Sequence, residues 1–386
     1  MSIAGRRVAV IGAGIGGLTV AASLRQLGID AEVYEQASRF TRLGAGIHVA
    51  PNAVHGLMGA GLPISTLTKV PAHPTFKNHR DAYTGEVSVS LPLGPASWRE
   101  FGAPYTLWHR GDLHEALTHL VPPDHLHLGK RLVDLQEHGD GVTLRFADGA
   151  VAEADIVIAS DGLHSTVRQL VFAVDDAVNT GKVAYRAVLD RAKVSADLDP
   201  CTKWWGTDRH FVHYIVSAGR EVAFTTSVAC DDWADESWNS LGDPDVLRAE
   251  FAEFHPTVRA ILDAVETVNK WALHSRAPLD RWSHGRVVLM GDASHTMPPY
   301  MGQGGAQSIE DAVVLARALS EAAPDDSGVS GAFAVYEATR RDRATLIQET
   351  SAANTFMRYD NDGGWVYGYD PWTAPLAEPL VAHAAP

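Results

Sequence analysis

The stretch 8-VAVIGAGIGGLTVAASL-24 narrows the folds open to this chain more than any other. Val8 to Ile11 is a short apolar run of the kind a buried parallel strand needs. Gly12, Gly14 and Gly17 follow as GxGxxG, with Ile15 among them, and Leu18 to Leu24 continues as a helix. The first glycine permits a tight turn, the second lets the backbone approach a pyrophosphate, and the third packs helix on strand. The helix start adds free N–H groups and the positive end of its dipole, which suit phosphate. Glu35 then closes the run 31-AEVYEQ-36, just ahead of Gln36. That spacing is close to the offset of about 20 residues at which an acid bonds a ribose hydroxyl. GxGxxG alone is a weak signal; strand, turn, helix and acid together predict a dinucleotide site.

At 386 residues the chain is long enough for two domains, or for one large α/β body with a lobe. A formal charge of −15 argues against a non-specific nucleic-acid binder. Cys201 and Cys230 are the only cysteines, so neither a disulfide framework nor a metal cluster is expected. The opening residues run straight into the first strand, leaving no room for a signal peptide. No apolar run nears the roughly 18 residues of a membrane span. A soluble, cytoplasmic protein is expected.

Two further turns specify the dinucleotide. In 155-DIVIASDGLHSTVR-168 an apolar strand stops at Asp161-Gly162 before a helix. In 286-RVVLMGDASHTMPPYMGQGGAQSIEDA-312, Asp292 ends a strand, and a turn from Gly302 to Gly305 opens another helix. Such aspartates accept from ribose or ribitol hydroxyls, and the turn offers N–H groups to a pyrophosphate or a flavin edge. Each alone reads as a capped strand end. Three in this order point to FAD in an extended pose.

The rest of the chain alternates between two patterns. Residues 73–100 read as paired strands turning at Thr84-Gly85, and 131–162 as a hairpin followed by an apolar strand. The segment 181–275 is strand-rich, with 181-GKVAYRAVL-189, 209-RHFVHYIV-216 and 221-EVAFTTSV-228, and has a helix near 244–254. Glycine-rich 41-TRLGAGIHVAPN-52 reads as a loop, 331–357 as a long helix and 365–376 as irregular chain. The expected class is α/β. A Rossmann-like FAD-binding domain (1–72, 101–180, 276–330) carries an inserted sheet-rich substrate domain (strands of 73–100, then 181–275) and a C-terminal helix and tail (331–386).

GAGIGG, DG and GD in this order resemble the single-component FAD-dependent aromatic hydroxylases, the family with the 4-hydroxybenzoate hydroxylase fold. Within it, 109-HRGDLH-114, 201-CTKWWGTDRHFVHY-214, 255-HPTV-258 and 365-WVYGYD-370 are similar to the decarboxylating group that acts on 6-hydroxynicotinate. The loop 41–52 carries the same likeness. The resemblance implies a monooxygenase that uses NADH and O2 on a small hydroxylated aromatic or pyridine carboxylate. A C4a-hydroperoxide of the reduced flavin would attack a ring carbon activated by a deprotonated hydroxyl, and a carboxylate on that carbon would leave as CO2. Such chemistry needs a base within hydrogen-bond reach. No metal, nucleic-acid or membrane partner is implied.

On matching positions the resemblance implies catalytic roles for His48, facing flavin and substrate, and Tyr214, helping to deprotonate the ring hydroxyl. It implies substrate contacts from Cys201, His210, Thr226 and Tyr300. FAD contacts would come from Arg110 by charge and Leu132 by backbone, beside Gly12, Gly14, Ile15, Gly17, Glu35, Gln36, Asp161, Asp292 and Gly302. The residue pattern adds that His210 and Tyr214, an even number apart on a strand, face one side and His213 the other. Arg42 and Arg186 are further cations that no spacing selects. Read without the family, His48 is a loop histidine, Tyr214, Cys201 and Thr226 are interior residues, and Arg110 makes a surface ion pair.

Four positions depart from the narrower group, which has histidine at Tyr300 and Tyr185, cysteine at Ser294 and glycine at Ser227. Tyr300 matters most, because that position lies against the substrate acid. Tyrosine donates one neutral hydrogen bond where histidine can carry charge, so a related ring acid fits as well. The alternatives are a non-decarboxylating hydroxylase of the salicylate or 4-hydroxybenzoate type, and a flavin reductase that does not activate oxygen. A halogenase is disfavoured by the absence of its WxWxIP motif. An NAD-only protein explains the first motif but not the DG and GD turns.

Overall fold

Val8–Ile11 is buried throughout, as its unbroken apolar run requires, and pairs in parallel with Ala31–Glu35 and Ile156–Ala159. The computed structural model describes residues 3, 5–42, 45–172, 178–230, 240–323, 325–358 and 363–378. Six strands form this first sheet, in the spatial order Ser283–His284, Val287–Leu289, Ile156–Ala159, Val8–Ile11, Ala31–Glu35, Leu126–Leu128. Alternate residues serve opposite layers. Val8 and Val10 pack under the helices Ile15–Gln26 and Gly304–Ser320, whereas Ala9 and Ile11 meet a three-stranded antiparallel sheet through Leu132, Val142, Leu144 and Phe146. The strand order puts the turns after Ile11, Ala159 and Leu289 side by side, at the strands' carboxyl ends, where open α/β sheets bind ligands.

The second large sheet has eight strands, in the order Leu241–Gly242, Val268–Ser275, Val178–Asp190, Glu221–Ala229, His210–Val216, Cys201–Trp205, Phe76–Asp81, Val87–Pro92. The hairpin of 76–92 thus joins the strands of 178–275, through a parallel pairing with Cys201–Trp205. Helices Pro244–Glu250 and Pro256–Asp263 cover one face, burying Leu247, Phe251, Val258 and Ile261 against Trp204, Phe211 and Phe224. Each such side chain contributes about 1.5–3 kcal/mol on leaving water. The opposite face shares a core with Tyr105, Met297, Met301 and Tyr367.

Three local expectations change. The stretch 41–52 is partly a strand: Gly46–Val49 pairs antiparallel with Thr106–His109, while Leu43 and Gly44 lie outside the described residues. Gly46 makes this possible, since a Cβ there would stand 2.3 Å from the Tyr214 ring. The long helix spans Asp326–Ala353, capped by Asp325 onto Gly328 N–H and closed by Asn354 at φ 52°. The tail is not merely irregular, because Gly364–Tyr367 forms a short helix with Val366 and Tyr367 fully buried. Among the described residues no helix is long and apolar enough to cross a membrane.

Candidate active site

The three fingerprint glycines do separate jobs. Gly12 has φ +99°, and a Cβ on it would meet Ser160 O at 2.5 Å; one on Gly17 would meet Gly12 O at 1.9 Å. Protein packing alone demands these two. Gly14 has nothing within 4 Å of its missing Cβ, and its extended backbone caps the Ile15–Gln26 helix with no side-chain bond. Its peptide is aimed by clamps on Ala13. Glu35 Oε2 accepts Ala13 N–H at 2.8 Å, and His114 Nε2 lies 2.7 Å from Ala13 O. Ile15 is buried at the helix start, and Gln36 is exposed beyond Glu35. A free helix N-terminus with open space at its cap can accept a phosphate.

The other two turns differ from each other. Asp161 is engaged in its own turn, accepting Ser165 Oγ at 2.5 Å and Val167 N–H at 3.1 Å, so its carboxylate caps the helix Thr166–Phe172. Asp292 has no hydrogen bond to its carboxylate among the described residues. Burial raises its pKa, with Arg110 opposing that shift. Arg110, at the start of the Arg110–Thr118 helix, faces the opposite charge of Asp292. These opposite charges line one cleft. Leu132 has its side chain in the core, which leaves only backbone for a ligand. Gly302, at φ +67°, would place a Cβ 3.5 Å from His48, so the glycine-rich turn lies against that ring.

A buried network fixes the Asp292 turn. Asp311 Oδ2 accepts Gly291 N–H at 2.9 Å and meets His295 Nε2 at 2.5 Å, while its Oδ1 accepts Arg340 Nε–H at 2.8 Å. Arg340, wholly buried in the long helix, also bonds Glu310 and Gln307. Glu310 accepts from Asn52 at 2.6 Å.

His48 projects from Gly46–Val49 onto the lobe. Its ring meets the Tyr214 ring edge-on at 4.3 Å, and its Nδ1 lies 2.8 Å from Tyr105 Oη. With Nδ1 occupied, Nε2 is the nitrogen left for a ligand. Burial, then the charge of Lys77, keeps His48 well below the usual imidazole range and so neutral. Burial raises the Tyr214 phenol, and Arg186 partly offsets the shift.

Strand register lays out the pocket floor. Cys201, Tyr214 and Ala223 form one row across the sheet; Lys203, Val212, Thr225 and Arg186 form the next; Trp205, His210 and Ser227 form the third. Val212, Thr225 and Arg186 are half-buried although their strands are central, so the pocket opens over them. At the far side Tyr300 Oη lies 3.1 Å from Ser227 Oγ, and the His210 ring stands edge-on to Tyr300 at 5.2 Å.

His48, Tyr214, Cys201, His210 and Tyr300 are therefore brought together, and Thr226 is not. Thr226 pairs with Phe211 and faces the helix-covered core, where its Oγ1 accepts Tyr185 N–H at 3.0 Å. A one-residue step along a strand reverses the side chain, so Thr225 and Ser227 take the pocket face. Tyr185 lies in the same distant core, so its departure does not touch the pocket. His213 is structural as expected, accepting Trp204 Nε1–H at 3.0 Å. Arg42 is bound in exposed ion pairs with Asp112 and Glu221. Sequence reasoning missed Tyr105, His114, Thr225 and Lys77. Only His114, inside 109-HRGDLH-114, left a trace, because the others depend on pairing between distant strands.

Residues 6–351 match the family described as FAD binding domain. Over 384 residues the chain is 41% identical to 6-hydroxynicotinate 3-monooxygenase of Pseudomonas fluorescens, covering 98% of this chain and 99% of that one. This chain belongs to the FAD-dependent aromatic monooxygenases. Another such monooxygenase, 3-amino-4-hydroxybenzoate 2-monooxygenase of Streptomyces cremeus, is 40% identical across 81% of this chain and 78% of its own. A Klebsiella pneumoniae protein crystallised with FAD and uric acid superposes with a TM-score of 0.82 at 30% identity, covering 94% and 91% of the two chains. A salicylate hydroxylase substrate complex gives 0.80 at 27%, covering 95% and 96%. The cleft suits the cofactor of this flavoprotein monooxygenase: the space before Gly14 admits a pyrophosphate, and Asp292 and Arg110 offer an acceptor and a cation.

Proposed function

We propose that this monooxygenase hydroxylates a small hydroxylated pyridine or benzene carboxylate, with loss of the carboxylate as CO2. The observation that carries the reading is the meeting of His48 and Tyr214 at 4.3 Å, beside the Gly302 turn and over the sheet face that bears Cys201, His210 and half-buried Arg186. Full-length likeness to a 6-hydroxynicotinate 3-monooxygenase supports the substrate class. Gly14, Glu35, Arg110, Asp292 and Gly302 would hold FAD, with Gly12, Ile15 and Gly17 shaping the cradle. Bound FAD, reduced by NADH, supplies the activated oxygen.

The protein's own part is to bind and ionise the ring. Tyr214, kept neutral by burial, hydrogen-bonds the ring hydroxyl. His48, with Nδ1–H given to Tyr105, presents Nε2 to the hydroxyl proton. Met297, Met301 and Tyr367 keep water from the reacting carbon. Cys201, His210 and Tyr300 border the ring.

The test is a panel of hydroxylated pyridine and benzene carboxylates incubated with holoenzyme, NADH and O2. Hydroxylated product and CO2 are expected in step with NADH oxidation. His48→Ala and Tyr214→Phe should each keep FAD and lose about 10²–10⁴-fold in turnover. A product that retains its carboxylate moves the protein to the non-decarboxylating hydroxylases, and full turnover in both variants removes the assigned proton path.

A further inference from the structure

Lys77 lies on the Phe76–Asp81 strand, where Asn78 pairs with Thr202 and His79 with Lys203 in parallel register. Alternation puts Lys77 and His79 on the pocket face with Cys201 and Lys203. Asn78 and Arg80 point the other way, and both bond Asp199 there. Lys77 is 7% exposed and Lys203 4%.

The two ammonium groups are partnered differently. Lys203 Nζ donates to Asn354 Oδ1 at 2.9 Å and to the Tyr300 carbonyl at 3.4 Å, and sits 3.8 Å over the Trp205 ring, all neutral partners. Lys77 has no hydrogen bond or ion pair among the described residues. The groups that face it are His48 from the Gly46–Val49 strand, His79 on its own strand, and Cys201 and Lys203 from Cys201–Trp205. None of these is a carboxylate, and Tyr300 brings only a neutral hydroxyl bonded to Ser227.

A buried ammonium without a partner weakens the fold, because nothing repays its lost hydration. Methionine would pack as well between Leu91 and Cys201, so stability does not explain a lysine here. Burial lowers the Lys77 pKa, so the position lacks the one partner, an anion, that would hold its charge, and a ligand can supply it.

We propose that Lys77 recognises an anionic oxygen of the bound ring, either its carboxylate or the oxyanion of its hydroxyl. This rests on the aromatic-acid reading above. It makes Lys77 a specificity residue: acids enter the pocket in preference to neutral rings of the same shape.

The experiment compares wild-type holoenzyme with Lys77→Met and Lys77→Arg, without reductant. Flavin absorbance changes report binding, and thermal melts report stability. The probes are 6-hydroxynicotinate, nicotinate (carboxylate only), 2-hydroxypyridine (ring oxygen only), nicotinamide (neither) and sodium nitrate. Lys77→Met should raise the Tm of the probe-free holoenzyme. It should weaken 6-hydroxynicotinate at least about tenfold, the loss of one charge-assisted hydrogen bond, and leave nicotinamide within about twofold. Lys77→Arg should recover most of the affinity. A matching loss for nicotinate assigns the carboxylate as the anion, and one for 2-hydroxypyridine assigns the ring oxygen. If no ring acid binds wild type but nitrate raises its Tm and not that of Lys77→Met, the substrate class is wrong and the anion site stands. A lower Tm for probe-free Lys77→Met, unchanged 6-hydroxynicotinate affinity, or no response of wild type to any probe overturns the inference.

Discussion

Replacing Gly14 by alanine separates the cofactor's need for a glycine from the protein's own. Gly14 has φ −72°, which alanine adopts without strain, and its added methyl would meet nothing within 4 Å. Stiffening of the unfolded chain favours the variant by about 0.4–1 kcal/mol. Alanine is a poorer helix cap by about the same amount, so apoprotein stability should change by less than about 1 kcal/mol. The methyl would nevertheless stand where a pyrophosphate must approach the helix start. Loss of one charge-assisted backbone bond costs about 1.5–3 kcal/mol, a rise in the FAD Kd of roughly 10- to 150-fold. Gly17→Ala is the contrast: its methyl would fall 1.9 Å from Gly12 O, and the variant should be destabilised by about 3 kcal/mol or more even without FAD. Apoprotein melts and FAD titrations by fluorescence quenching measure both. A Gly14→Ala protein that binds FAD within twofold of wild type, or melts like Gly17→Ala, refutes the division of roles.

Asp311→Asn leaves wholly buried Arg340 and nearly buried His295 without their shared carboxylate, and should cost about 3–5 kcal/mol in urea unfolding, less what Glu310 retains. A loss under about 1 kcal/mol would show that the network carries little. Burial holds His213 down at about 4, so the unfolded chain, near 6.5, takes up the proton first and stability falls as pH drops from about 6.5 toward 4. His213→Gln, which keeps an acceptor for Trp204, should flatten the fall in urea-derived stability between about pH 7.5 and 5; an unchanged slope removes His213 as a cause. Thr226→Val should leave KM within about twofold while Thr225→Val shifts it, and the reverse pattern would invalidate the face assignment.

What was legible in the sequence follows the range of the interactions involved. The Val8–Leu24 fingerprint and Glu35 form one continuous strand–turn–helix unit, so residue type and spacing suffice, and the parallel sheet follows from it. His48 and Tyr214 were named through family likeness, yet their contact depends on Gly46 letting two sheets touch. Thr226 was misplaced because 221-EVAFTTSVA-229 offers adjacent threonines, and only pairing with His210–Val216 decides which one turns inward. Asp161 was read by its place at a strand end, where its bonds to Ser165 and Val167 are invisible. The polar stretch 76-FKNHRD-81 shows no core pattern, and only its pairing with Cys201–Trp205 marks the place of Lys77.

The helix Asp326–Ala353 ties distant parts of the protein to one rigid ruler. Its first turn holds Arg6 and Arg286 through Asp326, its middle carries Arg340, and its closing residue, Asn354, reaches Lys203 and His210. At 1.5 Å per residue its 28 residues set a span of about 42 Å. Inserting a single residue before Asn354 would turn that amide by roughly 100° and carry it off Lys203, so the length of this rod, remote from any ligand for most of its course, gauges the width of the pocket.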